Sequence, residues 1–199
     1  MSTKVNRKSG KIVALTIGIF SAAASLSTVL PATHAAADDG IAAKGRVIAR
    51  TSLAERSAPS IHAPIAGKGY RKGQVIKLDC NLFGTSVGGN TTWYKIAGKH
   101  SWVAARYVKN IGHAPIACTA ASIPADRHAK TTASINLRQA PSTHDRVIGH
   151  IGEGKRAGLW CKVTSQKVGG NHTWYQESNG WIAAKYVKTD KKIPYCTQL

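Results

Sequence analysis

The chain states one pattern twice. VGGNTTWY at 87–94 returns as VGGNHTWY at 168–175, and WVAARYVK at 102–109 returns as WIAAKYVK at 181–188. Laying 80–109 over 161–188, with two residues skipped before the second Trp, aligns 28 pairs, of which 14 are identical. The repeated types are Gly, Asn, aromatic and Cys, which set turns, cores and crosslinks. Two consecutive copies of one small module are therefore expected, near 45–120 and 130–199. Residues 38–44 read as a flexible lead-in. Residues 121–129, with Pro124 and Asp126 just inside that stretch and no apolar periodicity, read as a linker.

Within each copy the period is two. Ile76, Leu78, Cys80 and Leu82 alternate with Lys77, Asp79 and Asn81, and Ala157, Leu159, Cys161 and Val163 do the same. The cysteines thus belong to a core face. Gly88-Gly89-Asn90 and Gly169-Gly170-Asn171 supply the positive φ angles of a tight hairpin, and Asn179-Gly180 is a further turn signal. Several short strands with Gly-rich turns predict an all-β chain with a small β-barrel in each copy.

Four cysteines allow three pairings. Only Cys80 with Cys118 and Cys161 with Cys196, at separations of 38 and 35, keeps both bridges inside one copy, as duplication of a self-contained unit requires. Zinc is the competing use of these cysteines, but no CxxC pair or close Cys/His spacing accompanies them. The N-terminus points to the same oxidising compartment. Lys4, Arg7, Lys8 and Lys11 precede an apolar stretch at 12–30, and small residues at 31–37 offer cleavage after Ala35 or Ala37. Residues 1–37 read as a signal peptide rather than a retained membrane anchor. A secreted or wall-associated product with no membrane span after cleavage is expected.

The second copy resembles a known module. Asn136-Leu137-Arg138-Gln139-Ala140-Pro141-Ser142-Thr143, Val147-Ile148-Gly149, Gly154, Trp174-Tyr175 and Gly180-Trp181-Ile182 through Tyr186-Val187 look like the bacterial Src-homology-3 (SH3-like) domain of secreted and cell-wall proteins. The resemblance covers about 132–188. The first copy departs at its start, where two extra residues stand between Leu53 and Pro59, but its Trp93-Tyr94 and 102–109 segments fit. The resemblance implies two tandem SH3-like barrels. It also implies that Trp93 with Tyr107, and Trp174 with Tyr186, line a ligand groove, while period-two reading turns Trp93 and Trp174 outward. Completion of each barrel's core is the competing role for these four aromatics. Trp160 is either exposed or packed between the copies.

Catalysis finds little support. The nine acidic residues make no close pair inside a repeated motif, no GxSxG or SxxK context appears, and His62, His100, His113, His144, His150 and His172 lack aligned partners and read as surface residues. No cofactor and no metal site is expected. Charge is the stronger lead: the net charge is +19, and losing the four cations of the leader leaves +15. Such a chain is drawn to polyanions. In an exported protein nucleic acid yields to peptidoglycan carboxylates and teichoic acid, so a non-catalytic wall-binding module is expected. A secreted module that binds a protein or peptide is the alternative. Asn90-Thr91-Thr92 and Asn171-His172-Thr173 match the glycosylation acceptor but are read as turn chemistry.

Overall fold

The computed structural model describes residues 43–118, 126–178 and 180–196. The expected signal peptide, most of the lead-in and Asn179 lie outside these residues. The chain is all-β. The first half runs β1 (Ala43–Val47), β2 (Ser52–Leu53), β3 (Tyr70–Arg71), β4 (Val75–Val87), β5 (Asn90–Ile96), β6 (Trp102–Ala104), a 3-10 turn (Ala105–Tyr107) and β7 (Val108–Ile111). The second half follows with β8 (Asp126–Thr131), β9 (Ile135–Arg138), β10 (Val147–Ile151), β11 (Arg156–Val168), β12 (Asn171–Glu177), β13 (Gly180–Ala183), a 3-10 turn (Ala184–Tyr186) and β14 (Val187–Lys188).

The long strands β4 and β11, each 13 residues, organise the two halves. Their alternate residues Ile76, Leu78, Cys80, Leu82 and Ala157, Leu159, Cys161, Val163 are buried, as the period of two predicts. The hairpins to β5 and β12 turn on Gly88 and Gly89, with φ +55° and +83°, and on Gly169 and Gly170, with φ +52° and +89°. Two successive positive φ angles belong to the turn whose twist matches a hairpin. Asn90 and Asn171 then accept the backbone N–H of Thr92 and Thr173 through their side-chain oxygens, each at 2.8 Å, so both asparagines serve the turn.

Sheet order in the first half is β6-β5-β4-β1-β7, with β2 and β3 paired separately, and in the second β10-β9-β13-β12-β11-β8-β14. The strands β1 and β8 correct two expectations. Ala43 and Lys44 of the expected lead-in already belong to β1, and β8 occupies 126–131, so the linker of 121–129 is shorter than expected. β1 does alternate, with Ala43, Gly45 and Val47 buried and Lys44 and Arg46 exposed, but two of the three buried positions are small. β8 is held by backbone ladders to β11 on one side and β14 on the other, with Ala129 and Thr131 buried.

Both disulfides form as the duplication requires, Cys80–Cys118 and Cys161–Cys196, with Cα atoms 4.9 Å apart in each. Each returning tail adds a short parallel bridge. Asn81 N–H donates to Ile116 O and Cys118 N–H to Asn81 O, and Lys162 and Cys196 repeat the arrangement with Pro194 O and Lys162 O. The described residues belong to one compact unit. One core cluster is confined to the first half, around Leu78, Tyr94 and Val103, and another to the second, around Leu159 and Ile182. A third is shared: Leu82, Trp93 and Trp102 from the first half join Val163, Trp174 and Trp181 from the second, together with all four cysteines.

The irregular start of the first half has a structural account. Arg56 and Arg138 occupy equivalent places: each pairs with a Trp, Trp102 of β6 or Trp181 of β13, and each donates to a loop carbonyl, of Ala63 at 2.7 Å or Asp145 at 2.8 Å. Leu53 faces Tyr70 as Leu137 faces Gly149. The extra pair is therefore Ala54-Glu55, and four residues intervene between Ile65 and Tyr70 where one separates Val147 from Gly149. The two insertions close on each other, with Ala66 N–H donating to Glu55 O at 2.9 Å and Gly67 so near that a Cβ there would strike the Glu55 carboxylate.

Glu55 is buried at 2% exposure. Its Oε1 accepts from Ser101 Oγ at 2.5 Å, and Lys99 Nζ donates to both oxygens at 3.0 and 3.3 Å. Burial raises its pKa, but the hydrogen bonds from Ser101 and Lys99 outweigh it and hold the carboxyl below the ordinary value of about 4.5. The folded state thus binds this proton less readily than the unfolded chain. The contribution of Glu55 is complete above the ordinary glutamate range and is lost as pH falls through the depressed folded value. Glu55→Gln is expected to cost about 1–2 kcal/mol at pH 7 and to flatten the stability-versus-pH curve below pH ~4.5. Chemical denaturation across pH 2.5–7 measures both, and an unchanged acid limb would refute the assignment.

Candidate functional site

The orientation expected for Trp93 and Trp174 is corrected. Both are buried, at 2% and 1% exposure, and their indole N–H groups donate inward to Thr85 O at 2.9 Å and Gln166 O at 2.8 Å. Alternation along β5 does put Trp93 on the face opposite Tyr94 and Ile96, but that face is not wet. Tyr94 and Ile96 enter the core of the first half, while Trp93 enters the shared core, so β5 is covered on both sides. Their proposed groove partners are different: Tyr107 and Tyr186 stand 40% and 36% exposed on the two 3-10 turns. Trp160, the remaining aromatic in question, is half-buried and outside the core clusters.

Each exposed tyrosine borders a cavity. In the first half Tyr107 and Arg106 face the connection from Ile48 to Ser52 across a cavity of about 510 Å³. In the second, Tyr186 and an edge of Trp174 line a cavity of about 220 Å³ with Ser134, Asn136 and Arg138. The structure therefore brings Trp174 to Tyr186, while Trp93 does not line the cavity beside Tyr107. The two cavities are counterparts: Ile48 N–H donates to Tyr107 O and Thr132 N–H to Tyr186 O, both at 2.9 Å, which sets residue 48 on 132 and Arg50 on Ser134. Only the first falls in the size range of ordinary ligand pockets, about 300–1,000 Å³.

Cations border both openings. The Arg106 side chain crosses the first hairpin, where a Cβ on Gly88 would lie 3.1 Å from its Nε, and Lys185 crosses the second, where a Cβ on Gly169 would lie 3.0 Å from its Cγ. A side chain at either glycine would push the cation off its bed. Arg138 is partly committed, donating to Asp145 O.

The junction between the halves carries a polar cluster that sequence reading missed. Asp145, 6% exposed, accepts from Ser60 Oγ at 2.7 Å and Thr85 Oγ1 at 2.5 Å, both across the junction. Nearby, the His62 and His144 rings meet at 5.2 Å between centroids. These histidines do have aligned partners: Arg56-Ser57-Ala58-Pro59-Ser60-Ile61-His62 matches Arg138-Gln139-Ala140-Pro141-Ser142-Thr143-His144 at five of seven positions. In both turns the His N–H donates to the preceding Ser Oγ, at 3.0 and 3.1 Å. The Ala54-Glu55 insertion masked this alignment. Two further contacts cross the junction: Trp181 Nε1–H donates to Phe83 O at 3.4 Å, and the His100 ring stacks on Tyr195 at 4.3 Å. The cluster's hydroxyls and carboxylate satisfy one another, which is what an internal seam requires.

Among the described residues no three His, Cys, Asp or Glu side chains are grouped so as to hold a metal ion, and no helix is long and apolar enough to cross a membrane. Two disulfides fit an oxidising compartment. No protein-family model and no curated protein matches the chain.

Proposed function

We propose that this chain is a secreted, non-catalytic binding protein built from two bacterial SH3-like barrels after a cleaved signal peptide, and that it holds peptidoglycan or its associated anionic polymers. The observation that carries the reading is the duplicated exposed tyrosine, Tyr107 and Tyr186, each set beside a cavity with a cation on the adjoining residue. An aromatic face packs against a sugar ring or peptide while the neighbouring cation meets a carboxylate or phosphate. The +15 charge left after loss of the leader adds long-range attraction to the same targets. Trp174 stands behind Tyr186 as buried support rather than as a stacking surface, and Trp93 belongs to the core shared by the two halves.

Co-sedimentation of the purified chain with wall sacculi, with and without teichoic acid and across a salt series, tests this. Retention that falls steeply with salt is expected, because the screening length shortens from about 10 Å at 0.1 M to about 3 Å at 1 M. Absence of retention in every condition would reject wall binding and turn attention to a secreted protein or peptide partner.

A further inference from the structure

The two cavities have diverged in size and in the kind and placement of their cations. At the place of Ser134 in the second half the first has Arg50, and the cation on its 3-10 turn is Arg106 where the second has Lys185. Both arginines are exposed. Among the described residues the ion pairs are Lys95 with Asp79 and Lys99 with Glu55, so neither guanidinium is matched by a carboxylate. Two unmatched guanidiniums facing one cavity repel each other until an anion joins them. The rest of the lining is of two kinds. Thr51 and Ser52 offer hydroxyl groups, while Ile48 and the Tyr107 ring, 48% and 40% exposed, offer apolar wall.

We propose that this first-half cavity is a binding site for a phosphodiester-linked polyol chain, a proposal that rests on the wall-binding reading and names its ligand class. Arg50 and Arg106 grip one phosphate through their planar donor forks, which suit a tetrahedral oxyanion better than the point charge of an ammonium. Thr51 and Ser52 bond polyol hydroxyls, and Ile48 with Tyr107 covers the carbon backbone between phosphates. The second-half cavity is smaller, has Ser134 in place of the first arginine, and its own Arg138 is partly committed to Asp145 O, so it does not offer two free guanidiniums. A carboxylate polymer such as polyglutamate lacks the regular hydroxylated spacer that this lining addresses.

The test is calorimetric titration of the full purified chain with short poly(glycerol phosphate), at fixed ionic strength. Arg50→Gln with Arg106→Gln should weaken binding roughly tenfold or more, since two charge-assisted contacts are lost. Lys155→Gln with Lys167→Gln removes the same charge from exposed sites of the second half and should weaken it by less than about threefold, the share of general attraction. Arg50→Lys with Arg106→Lys keeps the charge and the fold and should still lose a large part of the affinity, which covers the case of a poorly folded glutamine variant. Equal losses in the two glutamine pairs would overturn the site, as would equally tight binding of polyglutamate. Retention by phosphatidylglycerol vesicles without binding of the free polymer would assign the arginines to a lipid surface and overturn it too. If the glutamine pair sediments with sacculi as the unaltered chain does, this site falls and wall binding stands. If poly(glycerol phosphate) binds through the arginines while sacculi do not, wall binding falls and the site stands.

Discussion

Trp174→Ala is expected to lower the stability of the whole compact unit by about 3–5 kcal/mol, the usual cost of removing a buried aromatic from a packed core. The indole is 1% exposed, its N–H is spent on Gln166 O, and it packs in the cluster that joins the two halves. Truncation opens a cavity at that junction and leaves the Gln166 carbonyl without its donor. Denaturant titration should show a lower midpoint with an unchanged slope. Because the cluster includes residues of both halves, the transition should remain single, with the two halves losing structure together. Tyr186→Ala is the comparison: this ring is exposed on a turn, so the cost should be below about 1 kcal/mol while ligand retention falls. A Trp174→Ala chain that keeps its midpoint and loses only binding would restore the outward-facing reading of that ring.

Cys161→Ala with Cys196→Ala is expected to cost about 3–4 kcal/mol. The bridge closes a loop of 35 residues, and in the chain-entropy picture its loss frees that much of the unfolded ensemble. The bridge also ties the returning tail to β11, where Lys162 N–H donates to Pro194 O and Lys162 O accepts from Cys196 N–H. Its sulfurs lie in the shared cluster beside Trp174 and Trp181, so the damage should reach beyond the tail. Non-reducing peptide mapping should recover Cys80 with Cys118 and Cys161 with Cys196 and no crossed pair. Free thiols, or a peptide joining the two halves, would contradict the pairing, and a midpoint unmoved by the double substitution would deny the bridge a stabilising role.

Local features were legible from the residues alone. Alternation along 76–82 and 157–163 is a property of the extended backbone, and the Gly-Gly-Asn turns state their own φ angles. The disulfide pairing was legible because duplication leaves one arrangement that keeps each copy whole. The strand β1 was overlooked although Ala43, Gly45 and Val47 alternate with Lys44 and Arg46, because small residues weigh little in a hydropathy pattern. β8 was not legible, since a strand hydrogen-bonded on both edges needs no large apolar side chain and Ala129 leaves no mark. The Arg-x-Ala-Pro-Ser-x-His match at 56–62 and 138–144 was present in the chain but offset by the Ala54-Glu55 insertion. The candidate site was half legible. Tyr107 and Tyr186, which the family resemblance singled out, are exposed and border cavities, while Arg50 became a candidate only once backbone pairing made it the equivalent of Ser134.

The sequence by itself determined the two-copy organisation, the pleat of the long strands, the hairpins and the crosslinks, because each depends on neighbours in the chain or on the repeat. Tertiary structure alone decided that the tryptophan face of β5 and β12 is dry. Alternation divides side chains between two faces but carries no record of what covers either one. Here the covering surface is the opposite copy, supplied by residues roughly 80 positions away, and it converts Trp93 and Trp174 from candidate ligand platforms into the core that unites the halves.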